Sequence, residues 1–356
     1  MFTLHLRLFY VKLIFTDNKG DYMKYIAKIS LGFKDLISES APKFLKGAGC
    51  FNFYRDLAEF EYGKEIADVL KYPLFSTIFI VLYKFSQEET SFRKMSEKLL
   101  SESIDIKRAV SFFKNALTFR VRYYTEKGLV SVDDYTKGND EKYIHKHTGL
   151  KSNKLDSDVE FYYISRHDKQ NYFAVRLSKA ADSEKQKAGE IKLDVAYAVA
   201  YKSDIQKNDV ILDPFSRYGV LPFCISKFYK DVKVYAGDYE SNMVSAMKER
   251  GKRTMGRQPL ITKINPSDMV NIENETINKI ITEMPSAKYE NATAKLYLDF
   301  LKEALRVIKP NGSIYLLVQE PELLNDAIKQ FESIVLKNQT VFKASKTYNF
   351  YQLKKK

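Results

Sequence analysis

From Gly189 onward the chain repeats one pattern: a short apolar strand, a turn, then a stretch with helical spacing. Residues 209–213 (Asp-Val-Ile-Leu-Asp) lead into a helix reaching Lys230, and residues 232–237 lead into a helix from Ser241. Residues 259–264, 277–282 and 313–318 supply further strands, with helices over 193–200 and 294–307. Parallel strands need crossover connections, so this alternation predicts an α/β fold, a parallel sheet covered by helices on both faces. Residues 340–353 alternate apolar with polar and are expected to finish the sheet antiparallel.

The first half has a different texture. Residues 23–29 read as a strand turning at Gly32 into a helix, 50–54 as a strand, and 61–71 as a helix. The apolar run 74–83 is a buried strand or helix segment, because crossing hydrocarbon takes about 20 apolar residues. A second unit opens with helices near 92–100 and 109–113. In the strand 117–124 that follows, Arg120 and Arg122 lie on one side and Phe119, Val121 and Tyr123 on the other. Residues 158–165 and 172–177 pair around a polar turn. The boundaries drawn are 1–22, an extension or misplaced start; 23–88, a small α+β domain; 89–180, a second α+β domain; 181–190, a linker; and 191–356.

Charge and the scarce metal-binding side chains narrow the function. Lys and Arg outnumber Asp and Glu by 58 to 45, a net charge of +13, which favours polyanionic partners through counterion release. Cys50 and Cys224 are the only cysteines, so neither a disulfide framework nor a cysteine zinc site is available, and a reducing cytoplasm fits. His145 and His147 would share a face on a strand, but no carboxylate cluster lies near them, and no metal is expected. No membrane segment or signal peptide is read; residues 1–15 are apolar but carry His5, Arg7 and Lys12.

Ligands of an open parallel sheet bind at the carboxyl ends of its strands. Three such ends carry polar signals: Asp213-Pro214-Phe215-Ser216-Arg217-Tyr218-Gly219, then Gly237-Asp238, then Thr282-Glu283-Met284-Pro285-Ser286. The acid about 25 residues beyond the first turn stands where a ribose-binding carboxylate belongs. Asp268 follows the third strand. Any one of these acids alone reads as a helix cap; their shared order and spacing is what points to a site.

Here the chain resembles the THUMP-domain RNA methyltransferases, from about Met23 to the end. Met23-Lys24-Tyr25-Ile26-Ala27 with Gly32 is similar to the family's opening strand and turn, and Thr118–Val121 and Asp158–Phe161 resemble pieces of the THUMP domain. Gly189-Glu190-Ile191-Lys192 resembles the lead into the cofactor motif. Leu212-Asp213-Pro214-Phe215 stands where the family reads DPFCGSGT, Tyr235-Ala236-Gly237-Asp238 matches its GxD, and 306–312 resembles the turn before strand five. The resemblance implies a Rossmann-like class I methyltransferase sheet preceded by a ferredoxin-like domain and an RNA-binding THUMP domain. It implies S-adenosylmethionine as cofactor and structured RNA, tRNA or rRNA, as substrate, with guanine N2 as the expected target. Asp213, with Phe215 and Gly219 in its loop, would hold the methionine end, Asp238 the ribose hydroxyls and Asp268 the adenine amine. Glu283, Pro285 and Ser286 would hold the target base. Arg120, Arg122, Lys142, Lys146, Lys151 and Lys154 are candidates for tracking phosphates, with Tyr123, Tyr124 and Tyr143 interleaved.

Both functional loops depart from the family's pattern. Arg217 replaces the first glycine of the cofactor loop and Val220 its threonine; Glu283, Met284 and Ser286 replace asparagine, the first proline and the aromatic of NPPY, with Tyr289 as a substitute stacking platform. Two readings follow, an active RNA methyltransferase with altered loops and, as the alternative, an RNA-binding relative that kept the fold without catalysis.

Overall fold

The computed structural model describes residues 22–177, 187–286, 292–344 and 346–355. The chain divides into two units, one of residues up to 29 plus 38–182, the other of 30–37 plus 183–356. The reading of residues 1–22 as an extension falls almost wholly outside the described residues, as does most of the linker 181–190.

The first unit opens as β1 (Met23–Lys28), α1 (Lys34–Phe44), β2 (Asn52–Tyr54), β3 (Leu57–Tyr62), α2 (Ile66–Lys71) and β4 (Thr77–Phe85). The strand order β2-β3-β1-β4, all antiparallel, is the ferredoxin-like βαββαβ arrangement. The apolar run around 74–83 is therefore a strand. Residues 61–71 are not one helix, as the sequence reading had it. Leu57–Tyr62 alternates with period two, so the strand runs through Tyr62 and only the six residues after Glu65 turn into helix.

The sheet continues without a break. After α3 (Phe92–Ser101) and α4 (Ile106–Val110) come β5 (Thr118–Thr125), β6 (Gly128–Val130), α5 (Asp134–Thr148), β7 (Lys151–Ser152), β8 (Val159–Ser165) and β9 (Asn171–Arg176). β9 pairs with β4, β8 with β9, and β5 lies parallel to β8, giving nine strands across both sequence-drawn domains. Phe119, Val121, Tyr123, Phe161, Tyr163, Phe173 and Val175 pack on one face against Met95, Leu99, Tyr143 and Ile144 of the helices. Ile26, Leu57, Phe79, Tyr162, Ile164, Tyr172 and Ala174 cluster on the other face.

Helix α5 was absent from the sequence reading. Only Tyr143 and Ile144 of its apolar residues are buried, so its periodicity is weak; its caps define it instead. Asp133 Oδ1 accepts the Thr136 N–H at 2.9 Å, and Gly149 ends the helix at φ 76°. His145 and His147 thus sit two positions apart on a helix and do not share a face, contrary to the strand geometry considered for them. His145 Nδ1 lies 2.7 Å from the Leu150 carbonyl.

The second unit contains α6 (Leu193–Lys202), β10 (Val210–Asp213), α7 (Val220–Phe228), β11 (Lys233–Asp238), α8 (Ser241–Arg253) and β12 (Leu260–Lys263). Then follow β13 (Ile277–Glu283), α9 (Ala294–Val307), β14 (Ile308–Val318), α10 (Pro321–Ile328), β15 (Ile334–Lys343) and β16 (Thr347–Lys355). The strand order is β12-β11-β10-β13-β14-β16-β15; the first five are parallel, and β16 lies antiparallel to both its neighbours. This is the Rossmann-like sheet expected. The sequence reading took 340–353 as a single antiparallel element, whereas the chain forms a hairpin whose second strand is inserted beside β14. Phe33, from the turn before α1, is buried edge-on to Phe342, and Ser30 Oγ donates to Asp194 at 2.7 Å.

The first unit's core holds the fully buried carboxyl of Asp140. Asp140 accepts from Ser96 Oγ (2.6 Å), Tyr163 OH (2.7 Å) and Tyr123 OH (2.6 Å), and burial pushes its carboxyl above the usual range. Removing that acceptor strands three buried hydroxyls. Asp140→Ala is therefore expected to cost about 3 kcal/mol in urea denaturation, with Asp140→Asn much milder. A loss below about 1 kcal/mol would show that the hydroxyls are satisfied without this side chain.

Candidate functional site

Strands β11, β10 and β13 are adjacent and parallel, and the sheet's connectivity reverses between β10 and β13. Their carboxyl ends carry Asp238, Asp213 and Glu283. The three acids singled out in the sequence thus border one end of one sheet.

Asp213 is the deepest of them, 1% exposed. Its Oδ1 accepts the Thr282 hydroxyl at 2.6 Å and the Phe215 N–H at 3.3 Å. Burial pushes its carboxyl up to about 7, against the opposing pull of hydrogen bonds from Thr282, Ser216 and Phe215. Ser216 binds the neighbouring strand ends together: its Oγ donates to the Asp213 carbonyl (2.8 Å) and accepts the Gly237 N–H (3.2 Å), while its N–H donates to the Gly237 carbonyl (2.9 Å).

The loop then climbs into α7 through two left-handed residues, Arg217 at φ 50° and Gly219 at φ 83°. Glycine adopts this region freely, whereas for an arginine it costs about 1–2 kcal/mol. The Arg217 N–H donates to Asp238 Oδ2 (2.9 Å) and the Glu240 N–H to Asp238 Oδ1 (3.0 Å). Burial still raises the Asp238 carboxyl, the two backbone hydrogen bonds offsetting part of that rise. Gly237 is required by packing: a Cβ there would clash with the Ile264 side chain.

Glu190, Ile191, Asp213, Phe215, Arg217 and Glu283 are among the residues lining a cavity of only about 10 Å³, room for roughly one water. The Arg217 side chain lines this cavity, its Nη1 donating to the Gly189 carbonyl at 2.6 Å. A larger cavity of about 580 Å³ lies elsewhere, among Lys233, Tyr235, Leu260 and Ile272, and includes none of the three strand-end acids. The donor set at the strand ends fits an adenosyl-amino-acid cofactor: two carboxylates on neighbouring strands, and a glycine-bearing turn at the start of a helix.

In the turn after β13, Gln319 Nε2 donates to Glu283 Oε1 at 3.2 Å, and the Pro285 carbonyl accepts the Tyr297 hydroxyl at 2.9 Å. Met284 is packed into the core, and the Ser286 hydroxyl is buried without a hydrogen-bond partner among the described residues. Tyr289 lies outside the described residues. Asp268 is exposed in the loop after β12 and is not among the lining residues; its field acts on Arg306. Sequence reasoning singled out Arg217 as a misfit and quoted Thr282 in the third strand-end signal, but gave no role to Thr282, whose hydroxyl holds Asp213. The signal was a threonine one residue before the strand-end acid.

In the first unit the pleat separates the basic candidates. Arg120 and Arg122 point away from the Phe119–Val121–Tyr123 face, while Lys142 and Lys146 are exposed on α5, the helix that covers that face. Lys151 is exposed on β7 and Lys154 in the loop beyond it. Arg120, Arg122 and Arg176 surround the buried carboxylate of Glu160, with Arg176 Nη1 at 3.0 Å. A cavity of about 260 Å³ lies on this sheet face among Lys28, Phe79, Tyr124, Tyr162, Arg166 and Arg176. Lys28, Arg166 and Arg176 were missed; extending the alternation of Arg120 and Arg122 across the ladder to β9 would have found Arg176.

Comparison with known proteins agrees with this architecture. Residues 182–348 match the UPF0020 family, described as an RMKL-like methyltransferase domain, so the second unit carries a methyltransferase domain of that family. No curated protein matches the chain. The fold is similar to that of TrmN from Thermus thermophilus, at TM-score 0.73 and 18% identity over 94% of this chain and 100% of that one. It is also similar to SMU.472, a putative methyltransferase complexed with SAH (TM-score 0.66, 14% identity, 95% and 99% covered). A possible methylase from Clostridium difficile 630 is similar to the same degree (TM-score 0.66, 13% identity, 94% and 99% covered).

The buried Asp213 makes a pH-dependent contribution with a definite sign. Its folded pKa of about 7 lies above the ordinary 3.8, so the folded state binds the extra proton. Its stabilising contribution is full below about pH 4 and is lost as pH rises through about 7. Asp213→Asn is expected to flatten the fall in stability over that range in denaturation measured from pH 4 to 8. An unchanged slope would place the titration elsewhere.

Proposed function

We propose that this chain transfers a methyl group from S-adenosylmethionine to a base of structured RNA, with guanine N2 as the target. The observation that carries the reading is the meeting of Asp213, Asp238 and the Glu283 turn at three adjacent strand ends beside left-handed Gly219. The family of residues 182–348 supports methyl transfer, and the net charge of +13 supports a polyanionic substrate.

On this reading Asp213 gives up its proton near pH 7 and accepts from the ammonium of the cofactor's methionine end. Asp238 accepts from the ribose hydroxyls, Phe215 and Gly219 shape the wall between them, and Asp268 reaches the adenine amine. When bound, the cofactor supplies an electrophilic methyl on a cationic sulfur. Glu283 accepts a hydrogen bond from the exocyclic amine of the base and aims its lone pair at that methyl. Tyr297, bonded to the Pro285 carbonyl, fixes the turn, and the unpartnered Ser286 hydroxyl offers a second contact to the base. Such a site works by positioning and by electrostatics set before the reaction. Residues 23–88 and 89–180 would carry the RNA, with Arg120, Arg122, Lys142, Lys146 and Lys151 meeting phosphates on tRNA or rRNA.

One observation favours the non-catalytic alternative. The cavity lined by Asp213, Arg217 and Glu283 is too small for a cofactor as it stands, with Arg217 bonded across to Gly189.

Incubation with tritiated S-adenosylmethionine and total RNA is expected to label RNA, and Asp238→Ala to reduce cofactor affinity at least about tenfold, the scale of one lost charge-assisted contact. Cofactor affinity should rise with pH through about 7 as Asp213 ionises. Absence of label in every RNA fraction, with RNA still bound, would favour the alternative. Affinity for structured RNA should fall steeply between about 50 and 200 mM salt. A flat response would remove the phosphate-tracking surface.

A further inference from the structure

We infer that Arg217 and the strap of residues 187–191 form a latch over the cofactor site, so that Arg217 sets this chain's affinity for the cofactor. The inference rests on the cofactor reading above and concerns what this chain's own residues do to it.

Several observations meet at Arg217. Its backbone stands in the left-handed region, at φ 50°, where a glycine would sit without strain, and its N–H is held by Asp238. Its side chain lines the cavity and donates to the Gly189 carbonyl at 2.6 Å. The approach is so close that a Cβ on Gly189 would lie 2.7 Å from Arg217 Nη2; Gly189 itself is at φ 75°. Strap and cofactor loop are therefore matched, each accepting a special backbone conformation where the guanidinium lands.

The strap has its own anchors. Glu190 pairs with Arg250 of α8 and accepts the Lys187 N–H at 2.8 Å. The Lys187 ammonium sits 4.6 Å from the ring centroid of Tyr218, the residue after Arg217. Glu190 and Ile191 line the same cavity as Asp213 and Glu283. With the latch shut about 10 Å³ remains, against the roughly 300 Å³ or more of pockets that take cofactor-sized ligands. The guanidinium also carries the same sign as a sulfonium. Opening therefore has to precede or accompany binding, and apparent affinity is reduced by the fraction of molecules that are open.

Calorimetric titration of the full chain with S-adenosylmethionine and with S-adenosylhomocysteine tests the latch without relying on turnover. Arg217→Gly removes the side chain and suits the left-handed backbone, and Arg217→Lys keeps the charge without the fork that grips Gly189. Arg217→Gly is expected to bind both ligands at least tenfold more tightly than wild type, with Arg217→Lys between them. A gain confined to S-adenosylmethionine would reduce Arg217 to charge repulsion and overturn the latch. Wild-type binding that Arg217→Gly leaves equal or weaker would also overturn it, while the cofactor reading stands. No binding by any form, each checked as folded by its melting transition, would remove both readings.

Discussion

The hydrogen bond from Thr282 to the buried carboxyl of Asp213 joins β10 to β13 at the place where the sheet's connectivity reverses. Around it, Phe215 packs edge-on against Phe300 of α9, and Tyr297 of the same helix holds the Pro285 carbonyl. Ser216 performs the corresponding task towards β11 with three hydrogen bonds. Asp213, Glu283 and the loop over Asp238 have a fixed frame because these few polar atoms satisfy one another out of contact with water. Their burial is also why Asp213 holds its proton to near neutrality, coupling the frame to pH.

The first unit solves a different problem. Its central strands β8 and β9 are buried on both sides, one face by helices and the other by its own aromatic and aliphatic side chains. Charged groups on the second face are paired where they are buried, as with Glu160 among its arginines and Arg166 with Asp56 and Asp168. Around Glu160 three guanidiniums meet one carboxylate, a local positive surplus, whereas around Arg166 the carboxylates of Asp56, Glu126 and Asp168 outnumber the one guanidinium.

Much of this was legible in the sequence because periodicity reports burial. The strands of the second unit and α9, found over residues 294–307, carry strong apolar patterns, and the acids at strand ends followed from topology. What escaped had no such signal. Helix α5 is defined by Asp133, Gly149 and a buried polar centre at Asp140, none of which registers as an apolar stripe. The helix assigned to 61–71 borrowed Glu61 and Tyr62 from a strand because two periods overlap at a junction. The hairpin of β15 and β16 was compressed into one strand because a partner's identity is set by tertiary pairing. Arg217 was visible as a departure, but where its guanidinium lands depends on Gly189, 28 residues earlier.

The placement of β16 has a consequence for biosynthesis. Residues 347–355 lie between β14 and β15, so β15 has no neighbour of its own to pair with until they arrive. A nascent chain that has exposed everything through residue 343 presents the bare backbone of β14, an edge open to pairing with other chains. Closing that edge waits on residues 347–355, the only strand that pairs with both β14 and β15 among the described residues.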